Sequence, residues 1–286
     1  MPMSTVMVGE STTATTHDID ARWIMAYAAG LGDLNPCYMD TQNNALVAHP
    51  VFPVCLEWPV ILSSRHVRGY EMLTRAESAR GVHAAHDLHL YRPIRAGEKL
   101  TTQATIIGLQ QIKPGAAQTT RLDTVDETGA LVCRTYQLGI SRNVDVIGSP
   151  VTAEVPPTLP QLRDPTKEVA RFSIPLAAGA AHVYTECARI WNPIHSDRAV
   201  AIAAGLPDII LHGTATMALA VTRLVDAFLG RDPNRVRRLG GRFTAMVLMP
   251  STLTLEVLGD ENGTLFFQVL TQAGEIAFGQ GFLCYA

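Results

Sequence analysis

Two periods alternate along this chain. Ile24, Tyr27, Ala28 and Leu31 recur on one side of a 3.6-residue period, behind Asp18 or Asp20 as a cap, and predict an amphipathic helix. A second helix is expected somewhere within 56–66, where Pro59 blurs its start. Four strand-like runs follow, about 82–94, 98–110, 116–127 and 130–142. Gly97, Lys113-Pro114-Gly115 and Glu127-Thr128-Gly129 supply the turns between them. The succession then repeats. A strand near 169–174 leads to a helix over 180–190, a short helix near 197–204 and a longer one over 213–229. Met217, Val221, Leu224, Val225 and Phe228 form the buried stripe of that last helix. Strands near 237–248, 251–259, 263–272 and 275–285 close the chain.

Between the two series, 145–168 holds Pro150, Pro156, Pro157, Pro160 and Pro165, and neither period survives there. The expected organisation is therefore an N-terminal module over 1–145, a Pro-rich linker over 146–168 and a C-terminal module over 169–286. The Asn-Pro pairs at Asn35 and Asn192 superimpose at an offset of 157, and Arg95-Ala96-Gly97 and Leu248-Met249-Pro250 at 153, which points to an internal duplication. Each module reads as a long helix wrapped by an antiparallel sheet, an α+β arrangement that buries a continuous core.

Composition narrows the function. The chain has 286 residues, 47% apolar and 17% charged, with a net charge of −3, which disfavours nucleic acid as a partner. The five cysteines, Cys37, Cys55, Cys133, Cys187 and Cys284, are odd in number and widely spaced. That is reduced, cytosolic usage without a disulfide framework or zinc ribbon. The first 20 residues hold no Lys or Arg, and the apolar region 199–221 is interrupted by Pro207, Asp208 and His212, so neither a signal peptide nor a membrane span is expected. The last residues, Leu-Cys-Tyr-Ala, are not a Ser-Lys-Leu address. The expected location is cytoplasmic.

The chemistry concentrates between Tyr184 and Gly213. Asn192-Pro193-Ile194-His195 holds a histidine on a rigid turn, and Gly213, 18 residues later, opens a helix. An imidazole titrates near neutrality and serves as a base. A helix-opening glycine offers a backbone N–H and the positive end of a dipole to a developing oxyanion.

These features resemble the double hotdog fold of the MaoC-like hydratases and dehydratases, over most of the chain. That family carries Asp-x-Asn-Pro-Ile-His followed by a His-Gly pair with this spacing, here Leu211-His212-Gly213, and Arg242-Phe243-Thr244-Ala245 resembles its first long C-terminal strand. The resemblance implies reversible hydration of a 2-enoyl thioester, carried on CoA or an acyl carrier protein. His195 would be the base, Gly213 the oxygen donor and Asn192 a turn residue tied by an Asx-type bond that also orients the histidine. It departs at Ile190, which occupies the place of the family's catalytic Asp. Three replacements stand open: Asp33 at the matching place in the first module, where Tyr38 replaces the histidine; Glu186, one helical turn before Ile190; or His195 working alone with Tyr184 or a water. The loss of charge at Ile190 also leaves open an isomerase or cyclase on the same scaffold, and a non-catalytic thioester-binding homologue.

The remaining motifs are weaker. Arg235, Arg237, Arg238 and Arg242 form a basic cluster, within which Arg238 and Arg242 are candidate contacts for carrier phosphates. His83, His86 and His89 invite a metal reading, but a two-residue period puts His86 on the opposite face from the other two. No metal or cofactor is expected. His212 reads as a cap or core residue, Cys187 as a buried small residue, and Met246 and Met249 as pocket lining. A homodimer is expected as an option.

Overall fold

The computed structural model describes residues 2–42, 46–70, 73–78, 80–163 and 168–286. The chain clusters into two compact units that interleave along the sequence. One comprises 1–17, 56–89 and 99–159; the other comprises 18–55, 90–98 and 160–286. The division after Leu159 falls within the Pro-rich 146–168 stretch, whose 164–167 part lies outside the described residues. That stretch is partly ordered by pairing. Val146–Ile147 runs parallel to Met3–Ser4, and Val151–Thr152 pairs with Leu109 and Gly108.

In the first unit, Lys99–Ile112, Gly115–Val125 and Leu131–Arg142 form an antiparallel meander, with Gly81–Leu90 beyond its last strand. Their alternating burial follows from apolar residues at every second position. Gly115 turns the first hairpin at φ 144°, where a Cβ would strike the Ser141 carbonyl. The helix Pro53–Ser63 begins three residues before the expected start and carries Pro59 inside it. Its Val60 packs on Ala104 and Leu122, and its buried Glu57 accepts a hydrogen bond from the Thr135 hydroxyl.

In the second unit the sheet runs Val236–Phe243, Ile276–Tyr285, Thr264–Leu270, Ser251–Glu261, Ala170–Leu176, all antiparallel. The helix Gly213–Phe228 buries Met217, Val221, Leu224 and Val225, the stripe its period predicts; Phe228 is half-buried. The strand expected over 237–248 stops at Phe243. Thr244 and Ala245 still bond the next strand, but the Val247 carbonyl accepts from Leu211 N–H at 2.9 Å, which draws the chain away from the sheet.

Two further helices lie side by side in this unit, Ala21–Gly30 and Ala180–Ala188. Asp20 caps the first, accepting from Trp23 N–H at 2.7 Å. Trp23 Nε1 donates to the Cys187 carbonyl at 3.2 Å, and the Tyr27 and Tyr184 hydroxyls meet at 3.3 Å. Tyr27 and Tyr184 stand 157 positions apart, the offset of the two Asn-Pro pairs.

Candidate active site

The C-terminal motif is set by two local events. The helix Ala180–Ala188 ends when Arg189 takes a left-handed conformation at φ 56°. This costly geometry for a non-glycine residue is supported by the Arg189 guanidinium stacking 3.8 Å over the Trp23 ring. Pro193 then opens a short turn, Pro193–His195, whose last residue is buried. Asn192 does not cap this turn with its side chain; its backbone carbonyl accepts from His195 N–H at 3.1 Å. The Asx-type bond expected at Asn192 is found instead in the other motif, where Asn35 accepts from Cys37 N–H at 3.3 Å.

The His195 ring is held from two sides. Its Nδ1 lies 2.8 Å from the Ile210 carbonyl, which can only accept, so Nδ1 carries the hydrogen and Nε2 keeps its lone pair. The His212 ring stacks on it, centroids 3.7 Å apart and planes 26° apart. Burial pushes the His195 imidazole down to about 4, so it is neutral at physiological pH. Burial, and then repulsion from His195, holds His212 well below its ordinary value. His212 Nε2 lies 3.4 Å from the Ile190 carbonyl and from the Thr185 hydroxyl. Gly213 follows His212 and opens the long helix, where the first N–H groups have no acceptor within the helix. Tyr184 extends the cluster, its hydroxyl donating to Thr214 Oγ1 at 3.1 Å and its ring 5.0 Å from His212.

Glycine at 213 also has a packing reason. An added Cβ would lie 2.7 Å from Phe243 Cδ1 and within 3.1 Å of two further ring atoms. Beside Phe243, Arg242 is exposed; Arg238 sits 5.3 Å over the Phe282 ring.

The carboxylates expected as partners for His195 are bonded to other groups. Ile190 itself is buried. Glu186 is exposed and accepts from the Trp191 indole N–H at 3.3 Å; the left-handed Arg189 breaks the helical spacing that would align it with Ile190. Asp33 is buried and accepts a hydrogen bond from the Thr222 hydroxyl. Thr222 stands nine residues beyond Gly213 on one straight helix, roughly 13 Å of rise. Burial raises the Asp33 carboxyl, opposed by hydrogen bonds from Asn35 N–H and Thr222.

The other sequence candidates fall into place as packing. Cys187 is half-buried against Gly30, and burial raises its thiol. The His83 and His86 rings approach to 5.2 Å, so the strict alternation expected between them does not hold. Among the described residues, no group of three or more His, Cys, Asp or Glu is arranged to hold a metal. Met246 is exposed and Met249 half-buried. Three further residues contribute to the site or its supports, Tyr27, Thr222 and Phe243. Tyr27 shares the 157 offset and was available as a signal. Thr222 and Phe243 reach their places only through tertiary packing and carry none.

Comparison with known proteins finds relatives over both halves of the chain. Residues 164–277 match the MaoC like domain and residues 6–135 match the FAS1-like, dehydratase domain region. Enoyl-CoA hydratase 2, peroxisomal, of Arabidopsis thaliana is 22% identical over 277 residues, 89% of this chain and 86% of that protein. The 3-hydroxyacyl-thioester dehydratase Y of Mycobacterium tuberculosis is 28% identical over 250 residues, 86% of this chain and 82% of that protein. The crystal structure of a MaoC-like dehydratase from Phytophthora capsici superimposes with a TM-score of 0.83 at 20% identity, covering 98% of this chain and 97% of that one. The fold is thus the α+β double hotdog. Within that fold the chain carries a MaoC-like dehydratase domain and a FAS1-like dehydratase region. Among the described residues, no helix is long and apolar enough to cross a membrane.

Proposed function

We propose that the chain is a hydro-lyase that adds water across a 2-enoyl thioester, and in reverse dehydrates a 3-hydroxyacyl thioester, with His195 as its single acid–base group. One observation carries this reading. The segment 210–213 both fixes the tautomer of His195, through the Ile210 carbonyl, and supplies the helix-opening amide of Gly213. His195 Nε2 takes a proton from water as the water oxygen attacks Cβ. Gly213 N–H stabilises the thioester oxygen as charge develops on it, and the imidazolium returns the same proton to Cα. A positioned base contributes roughly 10²–10⁴-fold and an oxyanion donor roughly 10²–10³-fold. In this reading Asn192, whose side chain makes no cap bond to the turn, orients the attacking water. Asp33 and Glu186 stay outside this step, because one lies along the helix from the cluster and the other is held at the surface by Trp191.

The carrier in this reading is CoA or an acyl carrier protein, whose phosphates meet exposed Arg242 and neighbouring Arg238. A homodimer and a cytoplasmic location complete the proposal. The test is loss of enoyl absorbance with crotonyl-CoA and with longer and branched enoyl-CoAs. Turnover by the wild type that disappears in His195→Ala supports the assignment. Equal turnover by both proteins on every active substrate overturns it. If enoyl-CoAs are not hydrated but are isomerised without exchange of solvent oxygen, the apolar Ile190 has turned the same base to a different reaction.

A further inference from the structure

A pocket of about 220 Å³ lies beside the N-terminal Asn-Pro motif, lined by Asp33, Thr222, Arg223, Asp226 and Arg231, with Leu31, Gly32, Leu34 and Leu219. By the same measure a water molecule needs only about 10–15 Å³, so a ligand of several heavy atoms fits.

Its polar wall is built from behind. Val51 N–H donates to His49 Nδ1 at 3.1 Å, so His49 Nε2 carries the hydrogen and donates to Thr222 Oγ1 at 3.2 Å. The Thr222 hydroxyl hydrogen is thereby left for Asp33, which also accepts from Asn35 N–H at 3.2 Å. Asn35 in turn donates its side-chain amide to the Arg231 carbonyl at 2.7 Å. That bond helps hold Arg231 in a left-handed conformation at φ 63°. Tyr38, at the place of His195, is fully buried beside this cluster, and its hydroxyl has no hydrogen-bond partner among the described residues.

The pocket is not a working copy of the His195 site. His49 packs on Tyr27 at 5.8 Å as His212 packs on Tyr184 at 5.0 Å, so Pro50 stands where Gly213 does. Proline has no N–H to offer a thioester oxygen.

Charge pairing in the pocket selects the ligand. Arg231 and Asp226 satisfy each other at 3.4 Å. Arg223, exposed and in no ion pair among the described residues, and Asp33 remain as opposite charges on one wall. We propose that this pocket is a second ligand site for a short carboxylate bearing a hydrogen-bond donor on a nearby carbon, the carboxylate meeting Arg223 and the donor meeting Asp33. Hydroxy acids and amino acids share that chemistry.

The test is isothermal titration calorimetry of the full chain with 3-hydroxybutyrate, β-alanine and butyrate. The expected result is binding of at least one of the first two, with butyrate, which lacks the donor, roughly tenfold weaker or more. Arg223→Gln, a surface change that leaves the core intact, should weaken binding by a similar factor, and Asp33→Asn should remove the preference over butyrate. His195→Ala should bind as the wild type does. No binding of either donor-bearing ligand overturns the proposal. So does equal affinity for butyrate, or loss of binding in His195→Ala with retention in Arg223→Gln, which would put the ligand at the His195 cluster.

Discussion

Replacing Gly213 by alanine tests two claims at once, because the same position carries the oxyanion amide and the contact with Phe243. The added Cβ would sit 2.7, 3.0 and 3.1 Å from three atoms of the Phe243 ring. Carbon atoms rest at about 3.5–4.0 Å, so ring or helix end must give by roughly 0.5–1 Å. Overpacking of this kind costs about 1–3 kcal/mol. The better helix propensity of alanine offsets at most about 1 kcal/mol, and less in a first turn. The net loss of about 1–2 kcal/mol should lower Tm by a few degrees. Activity should fall further, because moving the amide removes much of a roughly 10²–10³-fold contribution. Gly213→Ala with Phe243→Leu separates the two effects. Removing the ring should restore Tm and recover part of kcat/KM, and the coupling between the two changes measures the collision. The assays are thermal unfolding and crotonyl-CoA hydration. A Gly213→Ala protein with wild-type Tm and wild-type kcat/KM refutes the argument, since neither the ring contact nor the amide would then be fixed as described.

Three other outcomes follow from buried ionisable groups and from the single-base reading. His195 takes up its proton only near pH 4 when folded but near 6.5 when unfolded, so the unfolded chain binds more protons between those values. Stability should therefore fall as pH drops from about 6.5 to about 4, while the pH dependence of kcat/KM shows its acid limb near 4; a limb near 6.5 refutes the buried neutral base. Glu57 has the opposite sign: burial raises its carboxyl to about 7, so its folded-state proton favours the native state below about 4.5 and that advantage is lost as pH rises through 7. Glu57→Gln should raise stability at pH 8 by an amount on the order of 3 kcal/mol and change little at pH 4, measured by urea denaturation. Glu186→Gln should leave kcat within about twofold of wild type; a loss on the scale of a general acid, roughly 10²-fold or more, would make Glu186 the missing partner.

What the sequence made legible follows the range of the forces involved. The stripe Met217, Val221, Leu224 and Val225 and the strand alternation from Lys99 onward are consequences of burying one face, and a period suffices to find them. His195 and Gly213 were legible because the turn and the helix start are local. The ends of elements were not. The strand stops at Phe243 because Val247 bonds to Leu211, and the helix stops at Ala188 because Arg189 is held over Trp23, partners 36 and 166 positions away in the sequence. Asp33 and Glu186 both stood as replacements for the carboxylate the resemblance expects at Ile190, since only packing reveals that Thr222 and Trp191 bond them.

The helix Gly213–Phe228 presents its first residue to the His195 cluster and Thr222, Arg223 and Asp226 to the Asp33 pocket. Each residue of an α-helix turns the next by about 100°. Inserting or deleting one amino acid between 213 and 222 would swing one of these walls away while leaving the other in place. The separation of the His195 cluster from the Asp33 pocket is thus written into a count of residues, and lineages descended from this chain should keep that count even where the side chains drift.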